Sequence, residues 1–368
     1  MDYINSLSID ILELNISNKN LFELPDLSKF ICLQILDCSN NLLTQLNNLP
    51  STLQILNCND NQIIQLDNLP YSLQILYCTH NQLMQLDNLP YLLRTLDCSC
   101  NRLIQLDNLP SSLTSLSCYN NRLIQLDNLP FYLKTLDCYN NQLTQLNNLP
   151  PHLINLYCDY NQLNQLDNLS SSLQILDCSN NQLTQLDNLP PLLKLYCYNN
   201  QLTKLDNLPH TLQILLCNNN QLTQLDNLPY LIRLECYYNK IIQLDNLPSS
   251  LQILYCNNNQ LTQLDNLPSS LIKLDCYDNQ IIKLDNLPMT LSRLNCSNNK
   301  MKINNLKYWK EQTKNKKLKL LKEKISARKI QKVWRKYWYD FYKYELIDGK
   351  YIGFCRFIER SYSIYMSS

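Results

Sequence analysis

The sequence predicts a solenoid, a stack of short turns whose strands form one parallel β-sheet on a concave face, followed by an α-helical tail. Two observations predict the solenoid. About fifteen copies of one twenty-residue unit follow each other over residues 1–301, and two copies are shortened to nineteen. Leucines recur at fixed places in each copy, and one unit is too small to bury them, so neighbouring turns must stack.

Each unit reads L-x-x-L-x-C-x-x-N-x-L-x-x-L-D-N-L-P-x-x, and residues 31–299 follow it most regularly. The L-x-C segment alternates inward and outward side chains, as a short strand does. The rest of a unit is too short for a helix, which predicts extended or 3₁₀ connectors on the convex face. Proline in N-L-P suits a connector because its φ is fixed and it needs no amide partner.

The segment L-x-x-L-x-C-x-x-N-x-L resembles the signature of leucine-rich repeats. The short period and the L-D-N-L-P ending are similar to the twenty-residue class found in bacterial effector proteins. The cysteine-bearing, asparagine-rich units also resemble the mimivirus-type repeat proteins of giant DNA viruses. These resemblances imply a leucine-rich-repeat solenoid that serves as a protein-binding scaffold.

Two columns of the repeat have a structural interpretation. Fourteen cysteines, from Cys38 to Cys296, occupy an inward position between leucines, which predicts buried, reduced side chains. Stacked neighbours about 4.8 Å apart are too far apart for disulfides, and no C-x-x-C pair suggests zinc. The asparagines from Asn41 to Asn299 predict an amide ladder that satisfies the backbone where each strand ends.

A row of aspartates in the L-D-N segments has two interpretations. Aspartate bonds to nearby amides in turns, which favours a structural role, whereas clustered carboxylates also attract Ca²⁺. The row consists of Asp67, Asp87, Asp107, Asp127, Asp167, Asp187, Asp206, Asp226, Asp245, Asp265 and Asp285.

Variation between copies is concentrated immediately before and after the repeat cysteine, on the predicted concave face. Tyrosine supplies rigid contact area with a polar tip, and acidic neighbours favour a partner with basic segments. The alternative is that these residues are only compatible with strands and turns and have no binding role. The predicted partner-binding residues are Tyr77, Tyr119, Tyr139, Tyr157, Tyr160, Tyr196, Tyr198, Tyr237, Tyr238, Tyr255, Tyr277, Asp97, Asp137, Asp177, Glu235 and Asp275.

One variable column offers an enzymatic alternative. Asp60, His80 and Cys100 all stand two residues after their repeat cysteine. Stacking places an acid, a base and a thiol in a row, which are the parts of a nucleophilic constellation or of a metal site. No glycine in the repeats builds a close loop for an oxyanion site, so we expect no enzyme and no cofactor.

Residues 302–368 differ in composition from the repeats. Positions 301–368 hold 18 Lys/Arg against 6 Asp/Glu, while positions 1–300 hold 14 against 25. The acidic balance of the repeats disfavours nucleic acid on the repeat face. Residues 329–341 resemble the IQ motif of calmodulin-binding helices through Ile330, Gln331 and Arg335, with Trp334 on the apolar stripe.

The tail has several possible roles. Its apolar stripe predicts a basic amphipathic helix, which could cap the last turn, bind a calmodulin-like protein, or contact anionic lipid or nucleic acid. The IQ pattern is incomplete, because Lys336 stands where glycine is usual and Asp340 replaces the second basic residue.

The sequence as a whole predicts a non-enzymatic scaffold that binds a protein partner on its Tyr/Asp-rich concave face. Binding centred on the tail is the alternative. We expect no transmembrane segment, because no run approaches the ~20 apolar residues that span a bilayer. With no signal peptide and seventeen cysteines, the expected location is cytoplasmic, or the host cytoplasm for a viral protein.

Overall fold

A computed structural model describes residues 7–284 and 287–301. In this part of the chain fifteen three-residue strands follow one another, one in each turn, and no helix occurs. The strands are β1 Glu13–Asn15, β2 Ile35–Asp37, β3 Ile55–Asn57, β4 Ile75–Tyr77, β5 Thr95–Asp97, β6 Ser115–Ser117, β7 Thr135–Asp137, β8 Asn155–Tyr157, β9 Ile175–Asp177, β10 Lys194–Tyr196, β11 Ile214–Leu216, β12 Arg233–Glu235, β13 Ile253–Tyr255, β14 Lys273–Asp275 and β15 Arg293–Asn295.

The strands form one parallel sheet in sequence order, which confirms the predicted solenoid. Equivalent residues of successive turns pair directly, for example Leu156 with Leu176 and Tyr157 with Asp177. The two nineteen-residue units keep this register, since Leu176 pairs with Leu195 across one of them. Each outward column of the sequence is therefore a straight row of side chains across the sheet.

The core lies behind the sheet. The middle leucine of strands β2–β14 is fully buried, as Leu156 is, while its two strand neighbours are partly exposed in every one of these strands except β12, where Glu235 is buried. Leucines before each strand and in each connector complete the core, as Leu153 and Leu163 do. Alternation within three residues is enough to separate a buried column from two columns that face solvent.

The repeat cysteines form a buried column of free thiols. All fourteen are buried, and no described cysteine is in a disulfide. Several thiols lie within reach of the next turn's backbone, as Cys158 Sγ does at 3.3 Å from the Asp177 carbonyl. Removal from water raises the pKa of Cys38 to about 12 and raises those of the others from Cys58 to Cys276 as well. The predicted burial of the cysteine column is confirmed for this part of the chain.

The asparagine column forms the predicted amide ladder. Asn161 Nδ2 donates to the carbonyls of Cys138 and Cys158 at 3.0 and 3.2 Å, while its Oδ1 accepts from the Leu143 amide at 3.0 Å. Equivalent bonds recur from Asn61 to Asn299, with nearly the same distances. One side chain thus joins two successive turns at the point where the strands end.

The connectors are extended chain with bends, and the 3₁₀ turns predicted as one possibility are absent from residues 7–284 and 287–301. Two columns adopt a left-handed backbone with φ of 50–54°. One is the asparagine of L-D-N, for example Asn168 at 52°. Asparagine tolerates this region better than most residues, which explains why this position is constant from Asn48 to Asn266.

The aspartate row does not have the predicted turn role. Its ten members before Asp285 are exposed, and no backbone amide donates to them. Asp67 and Asp226 instead accept from Gln65 and Gln224, two residues earlier. The adjacent asparagine makes the tight backbone turn. No acidic group that could hold a metal occurs among the described residues, and Asp285 lies outside them.

Candidate functional site

The candidate site is the outward surface of the sheet, called here the sheet face. It consists of three columns: the residue before each repeat cysteine and the two residues after it. The first column ends each strand, and the other two continue into the bend. Because the backbone repeats in register, all the variable residues of these columns meet on one surface.

The eleven predicted tyrosines all lie on the sheet face, and none is buried. Nine are half-buried, whereas Tyr160 and Tyr238 expose 54% and 51% of their surface. Tyr119 and Tyr139 stack with ring centroids 4.6 Å apart and planes 10° apart. Tyr77 on β4 makes no ring contact with another described aromatic side chain. The predicted set is therefore not one continuous cluster.

Three of the predicted acidic residues already have partners within the chain. Asp97 accepts from the amide and hydroxyl of Ser99 at 3.1 and 2.7 Å, and Asp177 makes the same pair of bonds with Ser179. Glu235 is buried and accepts from Arg233, with Nε at 2.7 Å. A partner gains less from Glu235 than the sequence predicts, because this charge is already compensated.

Two neighbouring carboxylates on the sheet face lack such compensation. Desolvation raises the pKa of Asp137 to about 6, although the Tyr139 amide opposes this rise. The Oδ1 atom of Asp137 is buried without a hydrogen bond of normal geometry. Desolvation and the charge of Asp177 raise the pKa of Asp159 to about 7. A positive charge nearby would lower both pKa values and so stabilise the ionised forms of the two carboxyl groups.

Asp159→Asn is expected to change the pH dependence of stability. Between the unfolded pKa near 4 and the folded value of about 7, the folded state binds more protons, so the free energy of unfolding falls as pH rises. The variant should be more stable than the original by about 1 kcal/mol at pH 8, after allowance for solvent screening, and equal at pH 4. Urea unfolding followed by circular dichroism measures both values.

The control for this experiment is Asp167→Asn, which changes an exposed carboxylate in the same turn. This variant should match the original protein at both pH values. A stabilisation by Asp159→Asn that is the same at pH 4 and pH 8 would contradict the assigned cause, since a protonated carboxyl carries no desolvated charge.

Four tyrosines line a depression at the C-terminal end of the sheet face. Tyr237, Tyr238, Tyr255 and Tyr277 surround it together with Asn257 and Asp275, and its volume is about 220 Å³. The rings of Tyr237 and Tyr238 lie 5.8 Å apart at 71° to each other. The Oδ1 atom of Asp275 is buried without a hydrogen bond of normal geometry, and desolvation raises the pKa of this carboxyl.

The second position after the repeat cysteine is the other left-handed column. Asparagine occupies it in eight of the fourteen turns, but Tyr160 and Tyr238 stand there with φ of 50° and 52°. A tyrosine in this conformation costs about 1 kcal/mol relative to an unstrained backbone. The same geometry turns these two rings out into solvent.

Asp60, His80 and Cys100 occupy the same left-handed column on consecutive turns. No hydrogen bond joins their side chains, and Cys100 Sγ instead accepts from Asn120 Nδ2 at 3.4 Å. No three His, Cys, Asp or Glu side chains of residues 7–284 and 287–301 come together as a metal site. The row exists, but the contacts of a catalytic or metal constellation are not made.

Two features of the surface were not predicted from the sequence. Asp159 follows its repeat cysteine directly, in a column from which only tyrosines were selected. Phe131, Tyr132 and His152 form an exposed aromatic cluster in the turns before β7 and β8, where His152 stacks on Tyr132 at 5.8 Å. The signal for this cluster is the aromatic wording of two successive turns, P-F-Y-L and P-H-L.

The predicted tail residues Ile330, Gln331, Trp334 and Arg335 lie outside the described residues, as does the predicted helix. Within the described part, no helix is long and apolar enough to cross a membrane.

The chain matches no protein-family model and none of the curated proteins with which it was compared. It is similar to the solved structure of YopM from Yersinia enterocolitica, with 36% identity over 79% of this chain and 70% of that chain, and a TM-score of 0.70. YopM from Yersinia pestis, described as a leucine-rich effector protein, gives 34% identity, coverages of 79% and 84%, and a TM-score of 0.73.

A third similar structure is the functional domain of InlJ from Listeria monocytogenes, described as including a cysteine ladder. Identity is 31% over 74% of this chain and 68% of that chain, and the TM-score is 0.61. The resemblance to giant-virus proteins stays a prediction. With identities above 30% over more than two thirds of these relatives, and with the same stack of parallel turns, the chain belongs to the leucine-rich-repeat protein family.

Proposed function

We propose that this leucine-rich-repeat chain is a non-enzymatic scaffold that binds a protein partner on its sheet face. The observation that carries the proposal is the contrast between columns. Core positions, ladder positions and the Q-L-D-N-L-P part of the connector hardly vary, while the three columns of the sheet face vary and present eleven tyrosines. Half-buried tyrosines lose little conformational entropy on binding, which suits them to recognition.

The charge of the sheet face supports a partner with basic segments. Asp137 and Asp159 are held at raised pKa values by burial, and a lysine or arginine nearby would stabilise their charged forms. Phosphate groups would meet these carboxylates unfavourably, so nucleic acid is disfavoured here. The description of the Yersinia pestis relative as an effector is consistent with action through other proteins. The free, buried thiols support a reducing location such as the cytoplasm.

The test is capture of proteins from cell lysate by the full chain and by two matched variants. One variant changes Tyr157, Tyr196, Tyr237 and Tyr277 of the sheet face to serine. The other makes the same change at Tyr71, Tyr91, Tyr132 and Tyr230, which are exposed in turns before the strands. We expect the unchanged protein and the turn variant to capture the same partner in similar amounts. The sheet-face variant should capture at least tenfold less of it.

Mass spectrometry identifies the captured proteins, and circular dichroism checks that both variants are folded. The bound partner should also elute as salt is raised, because charge attraction is screened. Equal capture by the two variants would remove the sheet face from the function.

The tail is the second candidate, favoured by its excess of basic residues and its IQ-like segment 329–341. Trp334→Ala and Arg335→Ala in the same capture assay test it. Loss of the partner from these variants, with capture by the sheet-face variant unchanged, would place binding on the tail and leave the repeats as its support.

A further inference from the structure

The depression at the C-terminal end of the sheet face differs from the rest of that face. Four tyrosines surround it, and its volume of about 220 Å³ is below the ~300 Å³ at which pockets for drug-sized ligands begin. One side chain of a partner is therefore a better match in size than a cofactor or metabolite.

The walls of the depression favour a cation. Tyrosine rings attract a positive charge placed over their faces within about 6 Å, and rings set at steep angles can face one cation together. Tyr237 and Tyr238 meet at 71°, with Tyr255 and Tyr277 completing the lining. An apolar side chain would fill the space as well, but it would gain nothing from the carboxylate there.

Asp275 supplies that carboxylate. Its Oδ1 is buried and makes no hydrogen bond of normal geometry, although the Tyr277 amide, the Asn295 side chain and the charge of Arg293 all act on the group. The carboxyl group as a whole is only partly exposed, and a positive charge that approaches it would stabilise its ionised form. Glu235, the acidic residue that ends β12, is already paired with Arg233.

Tyr238 stands in a left-handed backbone conformation, as Tyr160 does outside the depression. It has φ of 52° at a position where asparagine is the usual residue, so the backbone that carries its ring is strained. Strain of this kind persists where the surrounding structure or a function requires it. Here the strained residue forms one wall of the depression.

We propose that the depression lined by Tyr237, Tyr238, Tyr255, Tyr277 and Asp275 receives the ammonium end of a lysine side chain from the partner, either unmodified or N-methylated. This inference rests on the proposed function, and it names the group that the partner inserts. The aromatic rings contact the alkyl and ammonium parts, and Asp275 supplies the opposite charge.

The test measures the binding of small probes to the full chain by saturation-transfer NMR. The probes are Nα-acetyl-lysine methylamide, its Nε-trimethyl form and its neutral Nε-acetyl form. We expect both charged probes to bind, and the acetyl probe to bind at least tenfold more weakly. Equal binding of the acetyl probe would overturn the proposal, because it keeps the length of lysine without the charge.

Matched variants locate the binding. The double change Tyr255→Ser with Tyr277→Ser should weaken the charged probes at least tenfold. The control is Tyr157→Ser with Tyr119→Ser, which alters the same two columns away from the depression and should leave affinity unchanged. Asp275→Asn preserves the shape and should weaken the charged probes at least threefold. Equal losses in the double variant and the control would overturn the assignment.

Two outcomes separate this inference from the proposed function. If the lysate partner is captured through the sheet face but neither charged probe binds, the depression is not a lysine site and the scaffold proposal stands. If the probes bind but no partner depends on the sheet face, the scaffold proposal fails alone. Phosphocholine, added as a fourth probe, should bind no more tightly than trimethyl-lysine; tighter binding would point to a lipid headgroup and overturn the lysine assignment.

Discussion

Replacing Asn161 by alanine is expected to lower the free energy of unfolding by about 3 kcal/mol. The side chain connects two turns, with Nδ2 bonded to the Cys138 and Cys158 carbonyls and Oδ1 bonded to the Leu143 amide. Alanine leaves these buried backbone groups without partners, and each such group costs about 1–3 kcal/mol. Urea unfolding followed by circular dichroism measures the change.

Asn164→Ala is the control for the ladder prediction. Asn164 lies three residues later in the same turn, is exposed and makes no hydrogen bond, so its removal should cost less than about 0.5 kcal/mol. Similar losses from both substitutions would mean that asparagine stabilises the solenoid through the unfolded chain rather than through the ladder.

The thiols provide the second large effect. Of the seventeen cysteines, the fourteen of the repeat column are buried, while Cys32 and Cys100 are partly exposed. Cys355 lies outside the described residues. With a thiol-reactive dye, at most these last three should react quickly in the native protein, and all seventeen in urea. The thiols of the repeat cysteine column should react at least about 10³-fold more slowly, since the dye reaches them only after local unfolding that costs on the order of 4 kcal/mol.

A cysteine variant checks the assignment of the fast thiols. Cys100→Ser should lower the fast count by one, and His80→Ala should leave the rate at Cys100 unchanged. A marked slowing on His80→Ala would instead revive a His–Cys pair. Rapid labelling of all fourteen repeat cysteines in the native state would contradict their burial in the core.

The fold was predictable because its determinants repeat. Leu156, Cys158 and Asn161 each occur at fixed spacing in the regular turns, so their periodicity defined the strand, the core and the ladder before any geometry was known. The backbone of the bends was less accessible. In L-D-N both residues favour turns, and only the structure shows that Asn168 adopts φ of 52° while Asp167 stays exposed.

The candidate site was predictable as a surface but not in its internal contacts. Alternation placed Tyr157 and Asp177 outward, yet it could not show that Arg233 neutralises Glu235, because that bond depends on side-chain conformation. Nor could it show that four tyrosines surround one depression, since side chains from three successive turns combine there. The burial that raises the pKa of Asp159 arises in the same way, from neighbouring turns.

The residue-by-residue register of the sheet has a consequence for the evolution of the chain. Every turn presents the same donors and acceptors to the turn on either side, so neighbouring units are interchangeable as building blocks. Loss or duplication of a whole unit within the regular region joins surfaces that already fit, and the two shortened units show that one missing residue is absorbed outside the strand. The solenoid can therefore grow, shrink or recombine its tyrosine pattern by unequal exchange between repeats, without the selection of a new core.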